Sequence, residues 1–495
     1  MDGTHTPLRP AQEHRRRTDV PVFLAMGTLA LVLTVTSWEY GYHRDELYFR
    51  MLEPAWGYVD QPPFTPLVVQ FLSGIVDEVW FIRIPATLAA AASVLVVALI
   101  TRELGGGKNA QTLCAWAFAF ASMPLLMGHV MLTASFDLFM WPAVCLLILR
   151  AILRGEDRWW FAAGILVGLS MYNKLLIAGL LISLALGLLV AGPRRMLWSK
   201  GALGAAVVAL VIGSPNLIYQ AVNDWPQLAM GAALTENNAG EVRVLMWPFL
   251  FLLLGPPLVP VWVAGLVALF RRPQWRKARF LAAAFPFLLV FAFAAGGQIY
   301  YPYGLLAVLF AAGCVPVAEF FRGRPGWRAW AVAAVVVNSV VSAVIALPLL
   351  PVSVLGNSPV PDINQLAADQ VGWHTYVERI AEVYGQQPEA AVIITSNYGE
   401  AGAMARYGPE LGLPMPYSGH NQLYFEGVPP DGTTTAVIVG GQIRTVAQQF
   451  ELCETAATLD NGVGVDNEEQ GQPITVCTGP LAPWSELWPA FRHFD

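Results

Sequence analysis

The chain has 495 residues, 56% of them hydrophobic and only 13% charged, with a net charge of -6 and a mean hydropathy of +0.51. Soluble domains carry about 25% charged residues, so the composition excludes an ordinary soluble protein. Nothing in the charge pattern points to a nucleic-acid partner.

Apolar runs near the length that crosses ~30 Å of hydrocarbon fall at 20–38, 81–101, 110–127, 136–153, 159–172, 175–192, 202–219, 244–270, 280–295, 303–320 and 329–351. This predicts an α-helical polytopic membrane protein of about eleven transmembrane helices. Residues 1–19 read as a cytoplasmic tail. The first run lacks a small-residue cleavage pattern and reads as a retained anchor. Lys and Arg collect in every second loop: Arg15–Arg17, Arg102 and Lys108, Arg154 and Arg158, Arg194, Arg195 and Lys200, Arg271–Arg279, then Arg322–Arg328. By the positive-inside rule these loops are cytoplasmic. An odd number of spans then puts the C-terminus outside. The alternation requires a break near Asn173 and Lys174.

The first outer loop, 39–80, holds YGYHRDELYFRMLEPAWGYVDQPPFTP. Within it, Arg44–Trp56 has the pattern of an amphipathic helix lying along the interface, and the paired prolines stiffen the chain before the next element. Further outer loops are expected at 128–135, 220–243 and 296–304. After residue 357 the composition turns ordinary. Apolar runs at 390–395 and 435–440 alternate with helix-like stretches at 362–384 and 400–411. Residues 357–495 therefore read as a small extracytoplasmic α/β domain following a membrane domain over 20–351. Cys453 and Cys477 lie on the side where disulfides persist. They read as a bridge, with two free buried thiols as the alternative. Cys114, Cys145 and Cys314 read as packing residues.

Asp45 and Glu46, after His43 and Arg44, form an acidic pair beside a span. Charge at the hydrocarbon edge is costly unless solvated or in use, so the pair marks either a wet loop or a site. Asp137 sits at a similar expected depth on the same side, and favours the site. Alone it would be a helix N-terminal acid. Two converging carboxylates suit general-base work or a divalent metal ion, with His43 as a further candidate ligand. His129 is a weaker candidate; single histidines more often pack. Lys174 either snorkels to the headgroups or neutralises a lipid phosphate. Tyr300, Tyr301 and Tyr303 read as interface anchors or as hydroxyl donors to a phosphate or sugar. The rival reading from another class is a transporter or lipid flippase. Those place charges at midplane and show repeated halves, and neither feature is visible here.

DELYF after the first span, GYVDQPPFTP, TASFDLF, GLSMYNKLLIA and GGQIYYPYG together resemble the GT-C glycosyltransferases. The nearest likeness is to glycosyltransferase family 39, the protein O-mannosyltransferase and aminoarabinose transferase type. The resemblance covers roughly 20–350. It implies a membrane enzyme that takes a sugar, mannose as first guess, from a polyprenyl-phosphate carrier at the outer face. The sugar passes with inversion to an acceptor hydroxyl on a protein, glycan or lipid. Carried over by motif, Asp45 resembles the essential first-loop aspartate, with Glu46 beside it, Asp137 the second acid, and Lys174 the lysine of a T-K-G-like segment. Gln61 and Gln298 stand where relatives often carry a basic residue. The leaving phosphate then needs charge from Lys174, Arg44, Arg83 or a metal. The resemblance also implies the cell membrane as location.

Overall fold

The computed structural model describes residues 20–494; the expected tail and its Arg15–Arg17 cluster lie outside them. A helix or bent helix pair stands at each apolar run. Val79–Glu103, Thr133–Arg154, Lys200–Val222, Pro273–Ala295, Tyr303–Phe320 and Pro325–Ala346 are long and apolar enough to cross a membrane singly. Two further spans are bent: Lys108–Ala119 with Ser122–His129 by 53°, and Ala239–Leu252 with Pro256–Arg271 by 71°. The remaining three are shorter: α1 (Val20–Thr36), α8 (Asp157–Ser170) and α9 (Ile177–Ala191). In chain order the other helices are α2 (Arg44–Met51), α3 (Phe64–Ser73), α4 (Ile84–Glu103), α5 (Lys108–Ala119), α6 (Ser122–His129) and α7 (Thr133–Arg154). After α9 come α10 (Lys200–Val222), α11 (Pro226–Leu252), α12 (Val259–Arg271), α13 (Arg279–Ala295), α14 (Tyr303–Phe320) and α15 (Pro325–Ala346).

Small residues set the helix crossings, as membrane packing favours. A Cβ at Gly313 of α14 would meet the Val261 carbonyl of α12 at 1.8 Å. At Gly164 of α8 it would meet the Ala205 carbonyl of α10 at 2.4 Å. These crossings hold only for glycine.

Two expectations fail. The loop expected at 220–243 is mostly helix, because Pro226 starts α11 at its first position and the polar ALTENN stretch continues it. The following span bends instead at Gly255, whose φ is +96°. Helix α2 stops at Met51 rather than Trp56, since Pro54 disfavours a helical Glu53. Its Leu47, Tyr48 and Phe49 are buried against protein rather than lipid.

What covers them is the C-terminal domain. Its sheet has the order β2-β1-β3-β5-β4, with β1 (Val392–Thr395), β2 (Tyr417–Ser418) and β3 (Thr435–Val439) parallel. The two last strands, β4 (Phe450–Thr458) and β5 (Pro473–Pro480), are antiparallel and joined by the Cys453–Cys477 disulfide. Helices α16 (Trp373–Tyr384) and α17 (Tyr398–Tyr407) lie on one face. Tyr42, Leu47, Tyr48, Phe49 and Tyr58 of the first loop share a single apolar core with Trp373, Ile380, Ile393, Met404 and Val437. The first loop and the C-terminal domain thus pack as one body. A domain boundary drawn at 351–357 leaves that shared core out.

Candidate active site

Helix α2 is held from two directions. At its start, His43 Nδ1 accepts from Asp45 N at 3.1 Å, and Glu46 Oε2 accepts from His43 N at 2.8 Å, completing a capping box. Underneath, Arg83 forks onto Glu46: Nε donates to Oε1 and Nη2 to Oε2, each at 2.8 Å. Arg83 also donates to the carbonyls of Ser37 and Gly41 and to Gln370 Oε1, while Met131 N donates to Glu46 Oε1 at 2.8 Å. Both side chains are essentially sealed, at 1% and 0% exposure. Sequence reasoning counted Glu46 among the catalytic acids and placed Arg83 at the donor phosphate. The structure commits each to the other, which makes the pair the mount of the first loop.

Arg44, expected at the donor phosphate, is engaged by the C-terminal domain. It pairs with Glu468, lies 3.8 Å from Glu469 and stands over the Tyr398 ring at 4.8 Å. It ties α2 to the C-terminal domain.

Asp45, one residue before Glu46, remains 29% exposed, and its Oδ1 accepts from the Tyr398 hydroxyl at 3.1 Å. Burial raises its carboxyl above the ordinary range and Glu46 adds to the rise, while Arg44, Tyr398 and Lys174 oppose it. Lys174 sits in the break between α8 and α9, its ammonium 5.8 Å and 5.3 Å from the Tyr300 and Tyr301 ring centres. Asp45 and Asp137 are both close enough to act on its charge. The ammonium thus stands over two tyrosine rings with two carboxylates within electrostatic reach.

Asn173 builds the break. Its Nδ2 donates to the Thr133 carbonyl at 2.9 Å and to Asp137 Oδ1 at 3.1 Å, and its Oδ1 accepts from Thr65 Oγ1 at 2.8 Å. The Tyr172 carbonyl accepts from Phe64 N. One tripeptide thus pins α3, α7, α8 and α9 at the same end of the bundle. Asp137, Trp141, Leu176, Tyr300, Tyr301 and Tyr303 line a small cavity there.

Two site residues escaped the sequence reading. Asp60, in the DQPP stretch, feels the Asp45 charge, and burial pushes its carboxyl up to about 7. An acid before paired prolines was its only signal. Tyr398 had none, because it reaches Asp45 from 353 residues away.

A metal held by Asp45, Asp137 and His43 does not fit these residues. His43 Nδ1 is taken by the α2 cap and its Nε2 faces Asp369 at 3.7 Å. Lys174 already supplies a positive charge within electrostatic reach of both aspartates. Among the described residues, no group of three or more His, Cys, Asp or Glu is placed to hold an ion.

The helical membrane bundle with its C-terminal α/β domain is similar in fold to solved membrane glycosyltransferases. Residues 60–219 match the family model described as dolichyl-phosphate-mannose-protein mannosyltransferase. The structure of ArnT from Cupriavidus metallidurans bound to undecaprenyl phosphate is similar, with a TM-score of 0.61 at 17% identity, covering 92% of this chain and 97% of that one. The same protein in the apo state gives 0.57 at 15% identity, with the same 92% and 97% coverage. The arabinofuranosyltransferase AftD from Mycobacteria gives 0.51 at 13% identity, over 92% of this chain and 40% of that larger one. None of the curated proteins matches the chain.

Proposed function

We propose that the protein is an inverting glycosyltransferase moving a sugar from a polyprenyl-phosphate carrier to an acceptor hydroxyl. It works at the outer face of the cell membrane, with the N-terminus cytoplasmic and the C-terminal domain outside. The observation that carries this reading is the Asp45–Lys174–Asp137 arrangement: a part-exposed carboxylate and a second acid lie within electrostatic reach of one ammonium, which stands over two tyrosine rings. The likeness to ArnT, whose structure holds undecaprenyl phosphate, supports the carrier class.

In the proposed reaction, Asp45 takes the acceptor hydroxyl proton as the oxygen attacks the anomeric carbon. The bond from that carbon to the phosphate oxygen breaks on the opposite face, and configuration inverts. The departing polyprenyl phosphate carries the negative charge, met by the Lys174 ammonium. Tyr300 and Tyr301 supply hydroxyl donors at the same place. Asp137, fixed by Asn173, orients Lys174. A base whose affinity for protons is raised toward the working pH transfers them more effectively, which suits the burial of Asp45. Mannose is the first candidate sugar; the acceptor is a protein, a glycan or a lipid. No step needs a metal.

The test is the polyprenyl-phosphate-sugar pool, measured by mass spectrometry in membranes carrying the intact protein, a deletion, or Asp45→Asn. Deletion and Asp45→Asn are expected to accumulate the same glycosylated carrier. If Asp45→Asn matches the intact protein while deletion changes the pool, Asp45 is not the base and the reading fails.

A further inference from the structure

The C-terminal domain does more than cover the first loop. Tyr398 opens α17, whose N-terminus is fixed by its own capping box: Glu400 N donates to Asn397 Oδ1, and Asn397 N to Glu400 Oε2. The Tyr398 ring is held on several sides. It stacks on His420 at 5.1 Å and 22°, lies 4.8 Å from Tyr48, and carries the Arg44 guanidinium over its face. Its backbone N–H donates to His420 Nδ1 at 3.0 Å. Backbones approach too closely here for larger residues: a Cβ at Gly402 would come within 2.6 Å of the Leu47 carbonyl carbon. Docking is thus accomplished by the shared apolar core, Arg44 and the glycine contacts. The phenol oxygen is left over, and it reaches Asp45 Oδ1 at 3.1 Å.

Resting on the function proposed above, we propose that Tyr398 is a positioning residue supplied in cis by the C-terminal domain, which orients the Asp45 carboxylate and keeps it ionised for proton abstraction. A phenol O–H donates to the charged form of a carboxylate and favours that form. Because the ring is locked before substrate arrives, little side-chain freedom is lost during the reaction. With Oδ1 anchored, Oδ2 is the oxygen presented to the acceptor. Transfer then depends on a docked C-terminal domain.

The groups facing Asp45 are His43 at the α2 cap, Arg44 and Glu46 from α2, Asp60 from the first loop, Lys174 from the α8–α9 break, Tyr300, and Tyr398 itself. The experiment follows the Asp45 carboxyl by infrared pH titration of the purified full-length protein, using Asp45→Asn to identify its band. Tyr398→Phe keeps the ring contacts and removes only the donor. The carboxyl midpoint is expected to rise by about one pH unit. Replacing Tyr398 with 3-fluorotyrosine, a stronger donor of the same shape, is expected to lower the midpoint. It also serves if the phenylalanine variant does not fold. A midpoint that moves in neither variant overturns the proposal, whatever the protein transfers. The glycosylated-carrier pool, measured separately in the deletion strain, decides the functional reading. A shifted midpoint with no change in that pool would sink the transferase and leave the Tyr398–Asp45 contact standing.

Discussion

Around Glu46 every oxygen is taken: Oε1 accepts from Arg83 and Met131, Oε2 from Arg83 and His43. Around Asp45, the preceding residue, the carboxylate is part-exposed and accepts a side-chain hydrogen bond from Tyr398, with a lysine ammonium nearby rather than in contact. Two acids adjacent in sequence have thus been given opposite tasks by their surroundings. A fully bonded buried pair holds shape, because moving it would strand charges at great cost. A part-exposed carboxylate with spare acceptor capacity is available to a proton.

The comparison breaks most visibly at Asp45. Asp45→Asn is expected to lower transfer by about 10²–10⁴-fold with an unchanged melting temperature, read by carrier accumulation and by thermal unfolding in detergent. A large drop in melting temperature would put Asp45 with Glu46. Arg83→Ala should do the reverse, leaving a buried unpaired carboxylate and costing about 3–5 kcal/mol. The sign to look for is loss of folded protein on size-exclusion chromatography; a stable Arg83→Ala protein lacking only activity would return Arg83 to the donor site. Lys174→Gln should retain the fold and reduce transfer by about 10²-fold, the usual loss of one donor to a developing charge. Near-normal turnover would leave the leaving phosphate without its cation.

The smallest effect sharpens the comparison at the domain junction. Burial raises the Asp369 carboxyl to about 7 from its ordinary 3.8. A carboxyl raised on folding gives stability that is full below the ordinary value and lost as pH rises through the raised one. The protein should therefore lose stability between about pH 4 and 7, and Asp369→Asn should flatten that slope in melting curves. An unchanged slope would assign it to other buried acids, such as Glu400 or Glu469.

Much of the bundle was legible because lipid imposes one rule, an apolar length, and charge clusters mark alternate ends. Asp45, Asp137 and Lys174 could be picked out because ionisable groups in apolar surroundings are rare enough to notice. Their partners could not. Arg83 looked like a free cation because Glu46 is 37 residues away, and pairing at that distance leaves no local pattern. Asn173 was seen only as the residue before a lysine, although its amide fixes Asp137. Strand β4, FELCETAAT, is largely exposed at the sheet edge and shows no clean alternation, so it did not read as a strand.

The core shared by the first loop and the C-terminal domain also sets an order of events. Ribosomes deliver Asp45 long before Tyr398, and chains fold from the N-terminal end as they emerge. For most of its synthesis the first loop has neither Gln370 for Arg83 nor Tyr398 for Asp45, and its Leu47 and Tyr48 lack their cover. The proposed active centre therefore closes at the end of biogenesis, once the C-terminal domain has folded back onto the first loop. On the proposed function, a chain whose C-terminal domain has not yet docked would leave the carrier lipid pool untouched.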